Sequence, residues 1–191
     1  MVVRLETERL VLRQWRLSDY APFAAMTANP KVMRFFPSVL SREESDQVAN
    51  KIESLIAQKG WGFWAVELKK TSEFIGFVGL HYQDQAIPDA PFVEIGWRLS
   101  EKHWGLGYAP EAANEAMRFA FDILNESAVY AFTTLQNVPS RKVMSKIGMM
   151  DTNMNFNHPA LDAEHPLSRH CLYKITDDMW RKSMSGSLAN E

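Results

Sequence analysis

Between a strand-like run, FVEIGWRLS, and a helix-like run, PEAANEAMRFAFDIL, the chain carries Lys102-His103-Trp104-Gly105-Leu106-Gly107. Two glycines stand one residue apart where a strand should end and a helix begin. A loop of this kind points several backbone N–H groups one way. The first helical turn adds donors with no intrahelical partner and the positive end of the helix dipole. Together these bind phosphate. Glycine at 105 and 107 permits positive φ angles and close approach of a ligand, and Pro110 suits a first turn, where its missing N–H costs nothing. A P-loop would need Gly-Lys-Ser/Thr, which is absent. A dinucleotide fingerprint would need a third glycine where Pro110 stands, and an alternating α/β start.

Other residues carry possible chemistry. Glu94 faces the side of its strand opposite Val93 and Ile95, as a carboxylate base or as a polar residue on an open sheet face. Gly96, inside the same strand, marks a bulge or close ligand approach. Asn137 is placed to cap a helix at 138–147, with Ser140 in its first turn; Arg141 and Lys142 are either partners for a ligand's phosphates or, as the default reading, a solvated face. Cys171 is the one cysteine. It cannot form a disulfide within the chain, and at the start of an apolar strand it reads as a small core residue rather than a nucleophile. His158, His165 and His170 lack a metal-ligand spacing, so no metal is expected.

The elements that must position these residues follow from periodicity. RLVLRQW (9–15) alternates as a strand, and SDYAPFAAMTAN (18–29) opens a short helix at a Ser/Asp cap. SREESDQVANKIESLIAQ (41–58) is an amphipathic helix with Ser41 and Glu44 spaced as a capping box and Gly60 after it. Three strands are predicted at 61–68, 73–82 and 92–99, the first two joined as a hairpin through KKTS. A helix at 110–124, a strand at 128–134, the helix at 138–147, a polar loop at 153–170, a strand at 171–175 and a short turn TDDMWRK complete the order. The unit 92–134 should be a right-handed strand–helix–strand crossover. One domain over 1–180 and a disordered tail at 181–191 are expected.

The chain has 191 residues, 46% apolar and 23% charged, with 21 basic and 23 acidic residues and a net charge of −2. That is one ordinary soluble domain with no nucleic-acid-binding charge balance. The N-terminus MVVRLETERL has no apolar signal core, and no stretch reaches the ~18 apolar residues of a membrane helix. A cytoplasmic protein without membrane or nucleic-acid partners, monomeric or homodimeric, is expected.

Five motifs in order carry a family resemblance. Lys102 to Gly107 resembles the Q/R-x-x-G-x-G/A signature of the GNAT acyltransferases, with lysine in place of Gln or Arg, and its fuller form W-G-x-G-Y-A-x-E-A-A is similar to the branch containing the ribosomal-protein N-terminal acetyltransferases. ETERLVLRQWRLSD, FIGFVGL, VEIGWRLSEKHWG and NVPSRKVMSKIGM resemble that branch's opening, third strand, fourth strand and late helix start. The resemblance, over roughly residues 5–180, implies an α+β GNAT fold: a mixed, mostly antiparallel sheet of 6–7 strands flanked by helices, with a splayed parallel pair after the central strand. It implies an N-acetyltransferase with acetyl-CoA as cosubstrate. The amine acceptor would be a protein N-terminus or a small molecule such as a polyamine, amino acid or antibiotic; a non-catalytic acyl-CoA-binding module is the alternative. By the same resemblance Glu94 and Ser140 are the catalytic candidates, and Gly96, Trp97, Arg98, Leu99, Lys102, His103, Trp104, Gly105, Leu106, Gly107, Tyr108, Ala109, Asn137 and Ser140 contact the cosubstrate. A tyrosine acid common in the family four residues after Ser140 is replaced by Met144. Phe35 and Phe36 are candidates for the acceptor mouth, and His170 and Tyr173 for its border.

Overall fold

A computed structural model describes residues 1–187. In chain order it contains β1 (Leu5–Glu6), β2 (Leu10–Arg13), α1 (Leu17–Thr27), α2 (Arg42–Lys59), β3 (Phe63–Leu68), β4 (Phe74–Gln83), β5 (Phe92–Leu99), α3 (Tyr108–Asp122), β6 (Ala128–Thr134), α4 (Val138–Lys146), β7 (Met150–Asp151), β8 (Phe156–Asn157), β9 (Arg169–Thr176) and α5 (Asp177–Ser187). The strands form one mixed sheet in the order β1-β2-β3-β4-β5-β6-β9-β7, with β8 also on β9. β5 and β6 are a parallel pair, Val93 opposite Val129 and Glu94 opposite Tyr130. Nine strands stand where six or seven were expected. The surplus is β1, β7 and β8, each two residues long and too short to leave a period-two signal.

The chain divides into two compact units, the first made of residues 1–81 and 96–116 and the second of 82–95 and 117 onward. In the first, β1 to β3 pair antiparallel in sequence, and β3 pairs with β4 as the expected hairpin. Trp15, Phe23, Phe77 and their neighbours from α1 and α2 form its core. Trp15 and Phe23 meet edge to face at 5.0 Å, and the buried Trp15 Nε1–H finds the Phe63 carbonyl at 2.8 Å. Helix α2 starts at the capping box read from Ser41 and Glu44. Helix α1 starts earlier than read, at Leu17. Asp19 lies inside its first turn and accepts from the Arg16 N–H at 2.8 Å. That aspartate is fixed there because Arg13, buried beneath it, donates to both its oxygens at 2.7 and 3.0 Å.

In the second unit β6 and β9 pair over seven residues, Ala128–Thr134 against His170–Thr176. Phe92 stacks on Tyr130 at 4.4 Å above Leu172 and Phe156. The stretch 153–170, expected to be wholly loop, contributes β8 and the start of β9, because burial of Phe156 holds it against the sheet. Helix α5 continues to Ser187, so residues 181–187 of the expected disordered tail are helical; residues 188–191 lie outside the described part. Among the described residues no helix is long and apolar enough to cross a membrane.

Gly79 shows where the fold demands bare backbone. A Cβ there would stand 2.0 Å from the Gly62 carbonyl oxygen and 2.8 Å from Phe63 Cα. Neither atom belongs to a side chain that can swing aside. Gly79→Ala is expected to cost more than ~2 kcal/mol, by forcing the β3–β4 ladder apart, whereas Ser41→Ala, losing one cap, should cost ~1 kcal/mol. Urea unfolding of the two variants checks the order; an equal or reversed order would contradict it.

Candidate active site

The glycine loop lies in the first unit. Strand β5 hands over to it at Ser100, whose N–H bonds the Ile75 carbonyl at 2.9 Å. A short 3-10 turn, Glu101–His103, follows. It is closed by the Trp104 indole N–H on the Leu99 carbonyl at 2.9 Å and by the Ser100 hydroxyl on His103 Nδ1 at 2.5 Å. His103 is buried, and burial lowers its pKa. Gly105 and Gly107 then take φ of +72° and +80°, a region that costs an L-residue ~1–2 kcal/mol. A Cβ on Gly105 would meet nothing within 4 Å. Packing therefore does not explain that glycine; its φ and its open side do. Helix α3 begins at Tyr108 with Pro110 as its third residue.

A clamp fixes the loop and the helix start. Glu111, in the first turn of α3, accepts from Thr7 Oγ1 at 2.5 Å and the Arg9 N–H at 3.0 Å on one oxygen, and from Arg9 Nε at 2.6 Å on the other. Arg9 Nη1 continues to the Leu106 carbonyl at 2.9 Å, and the guanidinium lies over the Tyr108 ring at 4.5 Å. Burial pushes the Glu111 carboxyl up, but the Thr7 and Arg9 hydrogen bonds outweigh it and hold it below the usual carboxylate range. Arg9 is more than a hundred residues from Glu111, so no local pattern announced it. The glutamate of W-G-x-G-Y-A-x-E was its one trace. Lys102, for its part, is paired with Glu73. Arg9 and Lys102 are both held by carboxylates, whereas Arg34 lies over the Trp104 ring at 5.7 Å; the loop's own backbone N–H groups from Gly105 to Ala109 are further donors. Of the other expected contacts in this unit, Leu99 is buried and Gly96, Trp97 and Arg98 are half-buried at the end of β5, while Trp104, Gly105 and Leu106 are exposed.

In the second unit Glu94 is half-buried and accepts from Gln83 Nε2 at 3.3 Å. Desolvation pushes its carboxyl up to about 7 against the opposing Gln83 hydrogen bond. Asn137 caps α4 as expected. Its Oδ1 accepts from the Ser140 N–H at 3.2 Å, and its Nδ2 donates to Thr133 Oγ1 at 2.9 Å. Ser140 is thereby placed in the first turn of α4, part-exposed. Arg141 does not belong to a solvated face: it reaches the Tyr173 hydroxyl at 3.4 Å, the Leu135 carbonyl at 3.3 Å and Asp151 at 3.7 Å. Lys142 is exposed. Met144, in place of the family's tyrosine, is buried core. Cys171 is fully buried, its thiol pushed up by burial, which suits a core residue. His158 and His170 pack ring against ring at 4.9 Å beside Phe132 and Phe156, with burial lowering both. Among the described residues no cluster of three or more His, Cys, Asp or Glu is gathered to hold a metal.

The sequence model of a family described as acetyltransferase (GNAT) domain matches residues 9–150. An uncharacterized N-acetyltransferase of Bacillus subtilis, YoaA, is 30% identical over 146 residues, covering 75% of this chain and 81% of that protein. The crystal structure of an acetyltransferase from Agrobacterium tumefaciens superposes with a TM-score of 0.73 at 27% identity, over 92% of this chain and 95% of that one. A ribosomal-protein-S5-alanine acetyltransferase from Vibrio fischeri shares the fold, with a TM-score of 0.70 at 20% identity over 93% and 98% of the two chains. A matched family model spanning most of the chain, and relatives covering most of their own lengths, lead to one conclusion: this chain belongs to the GNAT acetyltransferase family.

Proposed function

We propose that the protein is an N-acetyltransferase that moves the acetyl group of acetyl-CoA to a primary amine by direct attack in a ternary complex, within one catalytic domain over residues 1–180. The observation that carries the reading is the loop at Gly105. Its backbone is left-handed, its missing Cβ opens on free space, and its neighbours Arg9 and Lys102 are already paired. The N–H groups of residues 105–109 are the donors for the cosubstrate's pyrophosphate, and the backbone of Gly96 to Leu99 pairs with its pantetheine arm. Protein N-termini are acceptors consistent with the ribosomal-protein branch that the sequence resembles; small amines are the alternative.

Glu94 is the base. An α-amino group has a pKa of ~7.7–8, so a carboxylate titrating near 7 is matched to taking its proton at neutral pH. The amine nitrogen bonds the thioester carbon, the carbon–sulfur bond breaks with its electron pair on sulfur, and the amine proton goes to Glu94. Ser140, held in the first turn of α4, donates to the departing thiolate. Cys171, buried with a raised thiol pKa, has no part in an acyl-enzyme.

Free-thiol release from acetyl-CoA across N-terminal ribosomal-protein peptides, polyamines, amino acids and aminoglycosides tests this. Release with one class, falling at least ~100-fold in Glu94→Gln, supports it; tight acetyl-CoA binding with no release from any amine favours the binding-only module. kcat/KM should rise with pH through about 7 as Glu94 loses its proton. Stability runs the other way. The folded pKa lies above the ordinary 4.5, so Glu94's contribution is full below 4.5 and is lost as pH rises through about 7. Glu94→Gln should flatten both profiles; unchanged profiles would remove Glu94 from the chemistry.

A further inference from the structure

Three guanidinium groups of the first unit are taken partly or wholly out of water, and two are matched by carboxylates. Arg13 has Asp19 and Glu67, both at 2.7 Å. Arg9 has Glu111 at 2.6 Å. Arg98 is the exception. Its guanidinium carbon lies 3.9 Å from the centre of the Phe36 ring and 5.5 Å from that of Phe77. Its Nε is fully buried with no hydrogen-bond partner. No carboxylate among the described residues pairs with it, and desolvation alone acts on it, lowering its pKa to about 10.

Removing a guanidinium from water without a partner costs free energy that burial of its aliphatic stem does not return. The two rings supply a cation–π attraction but leave Nε unmet. The group that fits a guanidinium is a carboxylate taking two parallel hydrogen bonds. The surroundings say whose carboxylate. Phe77 belongs to the core face under α1 and α2, whereas Phe36 is 38% exposed, on the segment joining those helices. The nearer of the two rings is therefore a surface side chain. By strand alternation Arg98 shares the face of β5 with Gly96, two residues back, on the stretch where the reading above runs the pantetheine arm.

We infer that Arg98, packed beside Phe36 and Phe77, is a specificity-determining residue that binds a carboxylate on the amine acceptor, so that the substrate is an amine bearing a nearby acid group. This rests on the reading of the chain as an amine acetyltransferase and narrows it. Polyamines and aminoglycosides, which are polycations, are disfavoured. A free amino acid and a peptide with an acidic residue next to its N-terminus share the required chemistry.

The test pairs each acid with its neutral twin: the twenty L-amino acids with their amides, and Ala-Asp-Ala-amide with Ala-Asn-Ala-amide. In the wild-type protein the carboxylate member of at least one pair should have a kcat/KM at least ~10-fold higher, the scale set by leaving a buried charged group unpaired. Arg98→Met should erase that ratio, and Arg98→Lys should restore only part of it, with the acetyl-CoA Kd unchanged. The amino-acid pairs and the peptide pair separate the two sources of the carboxylate. A second readout does not need turnover: calorimetric titration of the CoA-saturated protein with the same pairs, where the acid should bind and its amide should not. Binding without turnover would leave Arg98's role standing and overturn the catalytic reading instead. Equal binding and turnover of acid and amide overturns the inference. So does an Arg98→Met variant that loses acetyl-CoA affinity, since the guanidinium would then serve the cosubstrate. A variant that does not fold is replaced by Phe36→Ala, which removes the exposed ring and should weaken the acid member selectively.

Discussion

Everything proposed for this protein depends on backbone donors being left unspent at one turn. A loop can hold a pyrophosphate with N–H groups only if those groups are neither used internally nor masked by side chains. Gly105 and Gly107 take left-handed φ angles, and the clamp in which Arg9 donates to both Glu111 and the Leu106 carbonyl, with Thr7 also on Glu111, holds the turn. The loop is exposed yet held, because Arg9 ties the Leu106 carbonyl to Glu111 in the first turn of α3. The same ion pair occupies Arg9, so the proposed selectivity for a phosphate rests on the geometry of the N–H groups more than on that point charge.

Several cations of the first unit meet a carboxylate, and two desolvated groups, Glu94 and Arg98, do not meet an opposite charge. Arg13, Arg9, Lys102 and Lys31 each meet a carboxylate. Glu94 does not meet a cation; it has an amide and a desolvated setting, and its pKa rises to about 7. Arg98 does not meet an anion; it has two rings and a buried, unbonded Nε. Unpaired buried charge is destabilising, which is the physical reason these two groups, and not the paired ones, are the candidates proposed above to meet a ligand.

The long elements were legible because each carries many residues of one period. Strands β3 to β5, helices α2 to α4 and β6 fall within a few residues of their expected bounds, and the cap residues Ser41 and Asn137 act as their types predict. The two-residue strands β1, β7 and β8 were not legible, since pairing with a neighbour rather than local pattern creates them. At the site, the glycine turn and the α4 cap are local chemistry and could be read. The Arg9–Glu111 clamp, the inward turn of Arg141 and the isolation of Arg98 are properties of distant partners, or of their absence among the described residues, and a single sequence holds no record of either.

The most direct test of the central claim is to follow the backbone amides themselves. Amide NMR signals of Gly105, Gly107, Tyr108 and Ala109 should shift strongly on adding CoA and stay in place on adding pantetheine, which lacks the pyrophosphate. Amides that ignore CoA, or respond equally to pantetheine, would mean that the glycine turn is only a connection between β5 and α3.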